Sequence, residues 1–120
     1  MSALLAQGVS PAQFAQALDA MRAVVGPQWL FASDDDVAAY SDHFAFEDVT
    51  ANMASAIVAP LGIDQITRII GIARDHRIPV WAISTGRNLA YGGSAPRKHG
   101  TLTLDLKRNN RILEVNEELA

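Results

Sequence analysis

The stretch from Ala54 to Ile83 constrains this chain most, because its hydrophobic period changes twice within it. Ala54 to Pro60, "ASAIVAP", is a short apolar run ending in proline, and it reads as a strand. Ile63, Ile66, Ile70 and Ala73 then recur at helical spacing, and Ile69 and Ile72 widen the same apolar face. This predicts a helix of about four turns. Asp75-His76-Arg77 forms its polar end, where cations suit the helix dipole. Pro79-Val80-Trp81-Ala82-Ile83 is the next strand. Strand, helix and strand with short connections make a βαβ unit, which implies parallel strands and a right-handed crossover.

The residues before this unit are helical in pattern. Ser10 can cap, Pro11 suits the first helical position, and Gln13 completes a capping box. Phe14, Leu18, Met21 and Val25 follow at helical spacing, and Gly26-Pro27 stops the helix. Trp29-Leu30-Phe31 is strand-like but short. Ser33-Asp34-Asp35-Asp36 reads as a serine cap with carboxylates in the first turn rather than as a metal site, since adjacent aspartates at a helix start point in different directions. Val37 and Tyr40 give that short helix a buried side. Asp42 to Met53 shows no period and is expected to be loop. After the βαβ unit, the leucines of Thr101–Leu106 alternate with polar residues, which predicts a half-buried strand. Lys107 to Asn110 is turn-like, and Arg111 to Val115 reads as another strand. The fold class is therefore α/β (α+β): N-terminal helices, a βαβ unit, then an antiparallel pair from Thr101 to Val115.

Composition excludes several functions. The formal charge of -3 argues against a nucleic-acid module. With no cysteine there are no disulfides, thiolate metal sites or cysteine nucleophiles. His43, His76 and His99 lie far apart and not at metal-ligand spacing, so no metal site is assigned. Residues 1–8 lack the features of a signal peptide, and no run approaches the ~20 apolar residues of a membrane span. The expectation is a cytoplasmic protein by default, with a periplasmic location still open.

The segment after the second strand, "STGRNLAYGGSAPR", is unusual for a surface turn. It is not a P-loop, because Gly93 is followed by Ser94-Ala95-Pro96 instead of Lys-Ser or Lys-Thr. It is not a Rossmann fingerprint, because glycines 86, 92 and 93 miss the G-x-G-x-x-G spacing. Any anion must be held by the loop itself. Ser84, Thr85 and Asn88 offer hydrogen-bonding side chains. Gly86, Gly92 and Gly93 let backbone N–H groups approach a ligand closely, and successive amides can form an anion-binding nest. Arg87 adds charge. The residues alone leave two readings open, an anion site and a long turn with a solvated arginine. Tyr91 is equally open between packing on the loop and stacking on a ligand.

"PVWAISTGRNLAYGGSAPR", followed by "TLTLDLKRNNRILEVNEELA", resembles the N-terminal part of the vanillyl-alcohol oxidase and 4-cresol dehydrogenase flavoproteins, the group that includes eugenol oxidase and eugenol hydroxylase. "VSPAQFAQALDAMRAVVG" and "SAIVAP…ITRIIGIARDHRIPV" are similar to its opening helix and first βα unit. The resemblance implies an N-terminal helical segment over 1–53 and, over 54–120, the first portion of an FAD-binding domain of the p-cresol methylhydroxylase type. It implies that FAD is the cofactor and that Ser84, Thr85, Gly86, Arg87, Asn88, Leu89, Gly92 and Gly93 form the loop around its diphosphate. Two positions depart from the family. Ala90 stands where glycine is usual, which costs about 1 kcal/mol if the position needs positive φ. Asn109 replaces the usual methionine of the following turn and trades an apolar contact for a polar one.

The family's members are several times longer, and their phenol pocket and covalent-flavin residue lie beyond the region of resemblance. No catalytic residue is therefore carried over. The implied parent reaction is oxidation of a para-substituted phenol, by hydride transfer from its benzylic or allylic carbon to the flavin through a quinone methide. A phenolic substrate, and a cytochrome subunit or a homo-oligomeric partner, belong to that parent, and neither nucleic acid nor membrane is expected. The alternative is a stand-alone nucleotide- or anion-binding module, or a truncated product without catalysis. A relative acting on 2-hydroxy acids is a third reading, disfavoured by the tyrosine-glycine-glycine loop and "APR".

Overall fold

Helix α1, Pro11–Val25, begins where the capping pattern places it. Ser10 Oγ accepts from Gln13 N at 3.2 Å, and Gln13 Oε1 accepts from Ser10 N at 3.0 Å. Two donors that a helix start leaves orphaned are thereby satisfied. The buried face is Phe14, Ala17, Leu18, Met21 and Val25. The computed structural model describes residues 4–42, 48–85 and 94–119. After α1 the chain makes a 3-10 turn, Pro27–Trp29, and a two-residue strand β1, Leu30–Phe31. Helix α2, Asp34–Ala39, carries its own capping box: Ser33 Oγ accepts from Asp36 N, and Asp36 Oδ2 accepts from Ser33 N. Ser33→Ala is expected to cost about 1 kcal/mol. That would appear as a fall of about 4 °C in the melting temperature. An unchanged melt would show that α2 is held by packing alone.

Strand β2, Ala54–Val58, helix α3, Gly62–Asp75, and strand β3, Val80–Ile83, realise the strand–helix–strand pattern. Strand β4, Thr101–Asp105, completes a sheet of order β1-β2-β4-β3. β1 runs antiparallel to β2, while β4 is parallel to both β2 and β3. The strands of the βαβ unit are therefore parallel but are not neighbours, because β4 lies between them. The expected antiparallel pair from Thr101 to Val115 does not form. Both edges of β4 are already taken by parallel partners, which leaves no edge for residues 111–115, and these are exposed and carry no strand. For the same reason β4 is buried throughout instead of half-buried.

On one face of the sheet, Ala56, Val58, Leu102 and Leu104 pack in one core with Met21 and Phe14 of α1 and Ile69 and Ala73 of α3. The buried line of α3 differs from the expected one. Ile69 and Ala73 are buried and Ile66 and Ile72 pack partly against the core, whereas Ile63 and Ile70 are 83% and 48% exposed. At 100° per residue the apolar positions span roughly half the helix circumference, and the core takes the middle of that arc. Ile112, Leu113, Val115 and Leu119 are also exposed. The chain at high concentration is expected to self-associate through this apolar surface, as unpartnered apolar patches do. Size-exclusion chromatography over a dilution series tests this, and a concentration-independent monomer would contradict it.

Candidate functional site at the carboxyl end of the parallel strands

Because β2, β4 and β3 are parallel, their carboxyl ends open on one edge of the sheet. Ligands of open α/β sheets bind outside such ends, where neighbouring strands connect in different directions. Here β2 leads into α3, β3 leads to Ser84, and β4 leads into a turn at Leu106–Asn109. Ser84 and Thr85 are exposed at the end of β3. Of the residues expected to form the loop, these two are described, while Gly86, Arg87, Asn88, Leu89, Gly92 and Gly93 lie outside the described residues. Ala90, Tyr91 and His43 lie outside them as well.

The turn after β4 is a junction between four elements of the chain, where the sequence predicts only a turn. Leu106 N donates to Ile83 O at 2.9 Å, which holds the end of β3. Asp105 is buried and collects three donors. Tyr40 Oη donates to its Oδ2 at 2.7 Å, Lys107 N donates to Oδ1 at 3.0 Å, and Lys107 Nζ lies 3.4 Å from Oδ2. Lys107 Nζ also donates to Tyr40 Oη at 3.1 Å and sits 5.1 Å from the centre of the Phe31 ring. Arg108 stacks 4.1 Å from the centre of the Trp29 ring and donates to Ala59 O at 2.9 Å. Asn109 Oδ1 accepts from Gly62 N at 2.8 Å, and its Nδ2 donates to Pro60 O at 3.1 Å. The polar contact expected at Asn109 thus satisfies a donor at the start of α3, a helix that lacks a side-chain cap on its N-cap residue. The signal available in the sequence was the charged run Asp105–Arg108, directly after an apolar alternating strand.

Burial and the hydrogen bond to Asp105 push the Tyr40 hydroxyl pKa up, and the hydrogen bond with Tyr40 is the main cause that raises Lys107. Both groups bind their protons more tightly in the folded chain. The stability they contribute is complete below their unfolded pKa values and is lost as pH rises through the folded ones, in the alkaline range.

Two buried polar atoms without a hydrogen-bond partner among the described residues are Trp81 Nε1 and Thr103 Oγ1, on residues directly opposite each other in β3 and β4. Ser55 Oγ, at the register irregularity of β2, is a third. Trp81 is half-buried, and its indole N–H has no partner among the described residues. Among the described residues no group of His, Asp and Glu forms a metal cluster. No helix there is long and apolar enough to cross a membrane. The described part of this edge presents the exposed hydroxyls of Ser84 and Thr85 at the end of β3.

Comparison with known proteins gives this edge a context. Residues 54–120 match the family described as FAD binding domain. The chain is 33% identical over 118 residues to the 4-cresol dehydrogenase [hydroxylating] flavoprotein subunit of Pseudomonas putida, covering 98% of this chain and 23% of that protein. The structure of p-cresol methylhydroxylase with substrate bound superimposes with a TM-score of 0.91 at 33% identity, over 95% of this chain and 22% of that one. 4-Ethylphenol oxidase from Gulosibacter chungangensis, in its isoeugenol complex, gives 0.90 at 40% identity over 97% of this chain and 22% of that one. The chain spans less than a quarter of the length of the curated relatives it matches.

Proposed function

The chain belongs to the FAD binding domain family, and on that premise we propose that residues 84–93 wrap the diphosphate of FAD. The cofactor of the family is FAD, and the chain is homologous to flavoproteins of the p-cresol methylhydroxylase type. The observation that carries the reading is the position of Ser84 and Thr85, exposed at the carboxyl end of β3 beside its parallel neighbour β4. The exposed hydroxyls of Ser84 and Thr85 fit a polar ligand. In this reading Ser84, Thr85 and Asn88 bond phosphate oxygens, Gly86, Gly92 and Gly93 allow backbone amides to approach, Leu89 lies within the same loop, and Arg87 supplies counter-charge.

FAD, when bound, supplies the acceptor for an electron pair. In this reading the chain binds and orients it, and the phenol is bound by groups outside these 120 residues. The substrate class is a para-substituted phenol, by analogy with the relatives named for 4-cresol and 4-ethylphenol. Titration calorimetry of the chain with ADP and AMP tests the reading. ADP is expected to bind more tightly than AMP, and FAD to compete with ADP. Equal affinity for ADP and AMP would refute the diphosphate assignment. Oxidation of vanillyl alcohol by this chain alone would refute the division of labour.

A further inference from the structure

We propose that Asp105, Tyr40 and Lys107 are positioning residues, a partly buried strut around the buried Asp105 carboxylate that sets where the chain leaves β3 and so aligns the segment beginning at Ser84. This rests on the reading that residues 84–93 hold a diphosphate. β3 pairs only with β4 among the described strands, so its end is held from one side. Ile83 faces Asp105 in the register, and Leu106 N bonds Ile83 O immediately before Ser84. The position of Ser84 therefore follows from the conformation of Asp105–Lys107.

That conformation is fixed by the carboxylate. The Asp105 side chain is 5% exposed, and it bonds the backbone N–H of Lys107 two residues on, which turns the chain after Leu106. Its other oxygen takes the Tyr40 hydroxyl, which follows α2 and comes from 65 residues earlier in the chain. Lys107 Nζ closes the triangle on both. An ion pair at a buried carboxylate is weak evidence of a stability role, since well-packed apolar residues often replace such pairs without loss. Directional bonds define a single backbone path more sharply than apolar contact does, and a ligand held by backbone amides needs that path to within a fraction of an ångström.

The test uses the full 120-residue chain and its Asp105→Asn, Tyr40→Phe and Lys107→Met variants, each checked by circular dichroism to be folded at the assay temperature. Calorimetry gives the ratio of the AMP to the ADP dissociation constant. A strut predicts that Asp105→Asn lowers this ratio about tenfold, the size of one lost charge-assisted hydrogen bond. Tyr40→Phe and Lys107→Met should lower it about threefold, with AMP affinity unchanged in all three variants. A merely structural role would weaken AMP and ADP together, in step with the melting temperature, and would overturn the proposal. An unchanged ratio in a folded variant would overturn it too. If Asp105→Asn does not fold, Tyr40→Phe decides, because it removes only a hydroxyl. A wild-type ratio of one would instead refute the diphosphate reading, and the strut with it.

Discussion

Replacing Gly100 with valine is expected to destabilise the chain by on the order of 3 kcal/mol, combining backbone strain with overpacking. Gly100 has φ of 76°, a conformation that disfavours any side chain. A Cβ there would overlap the backbone of Leu5 and Ala6, which cross directly over it. Both residues pack partly against the core, and Val9 N bonds Ala6 O at 3.1 Å, so the crossing cannot lift freely. Gly100 N also donates to Met53 O at 2.8 Å, tying the start of β4 to the residue before β2. Denaturant melts of the wild type, Gly100→Ala and Gly100→Val measure the loss. Deleting residues 1–8 in the Gly100→Ala background should cost less than the two changes summed, since the deletion removes the overlapped backbone. Full additivity would show that strain in φ is the whole effect.

Gly93→Val is expected to abolish binding of ADP and FAD, by forbidding close approach of the backbone to the diphosphate. Arg87→Ala should weaken binding by roughly 1–3 kcal/mol, as a lost charge-assisted bond would. Calorimetry with FAD, ADP and AMP on the wild type and both variants measures these effects. Wild-type affinity itself is expected to be weak, because the chain spans less than a quarter of the length of its curated relatives. Tight ADP binding by Gly93→Val would remove the diphosphate from this loop. An Arg87→Ala loss equal for ADP and AMP would assign the arginine to the nucleoside monophosphate instead.

Local chemistry alone was enough to specify much of this protein. The capping boxes at Ser10 and Ser33, the stop at Gly26 and the alternation between strand and helix periods all depend on neighbours within about four residues in the chain. The glycine-rich segment after β3 and its flanks carried the family, which the match over residues 54–120 then established. Other features depended on which strands became neighbours. The insertion of β4 between β2 and β3 follows from long-range pairing, and the alternating leucines of Thr101–Leu106 fit a central strand as well as an edge strand. The same insertion denied residues 111–115 a partner and left Ile112, Leu113 and Val115 in solvent. The core took Ile66, Ile69 and Ala73 from an apolar arc on α3 that the sequence left wider than the contact. The Tyr40–Asp105–Lys107 cluster was out of reach for the same reason. A hydrogen bond across 65 residues has no local signature, because it exists only once α2 and the end of β4 are brought together.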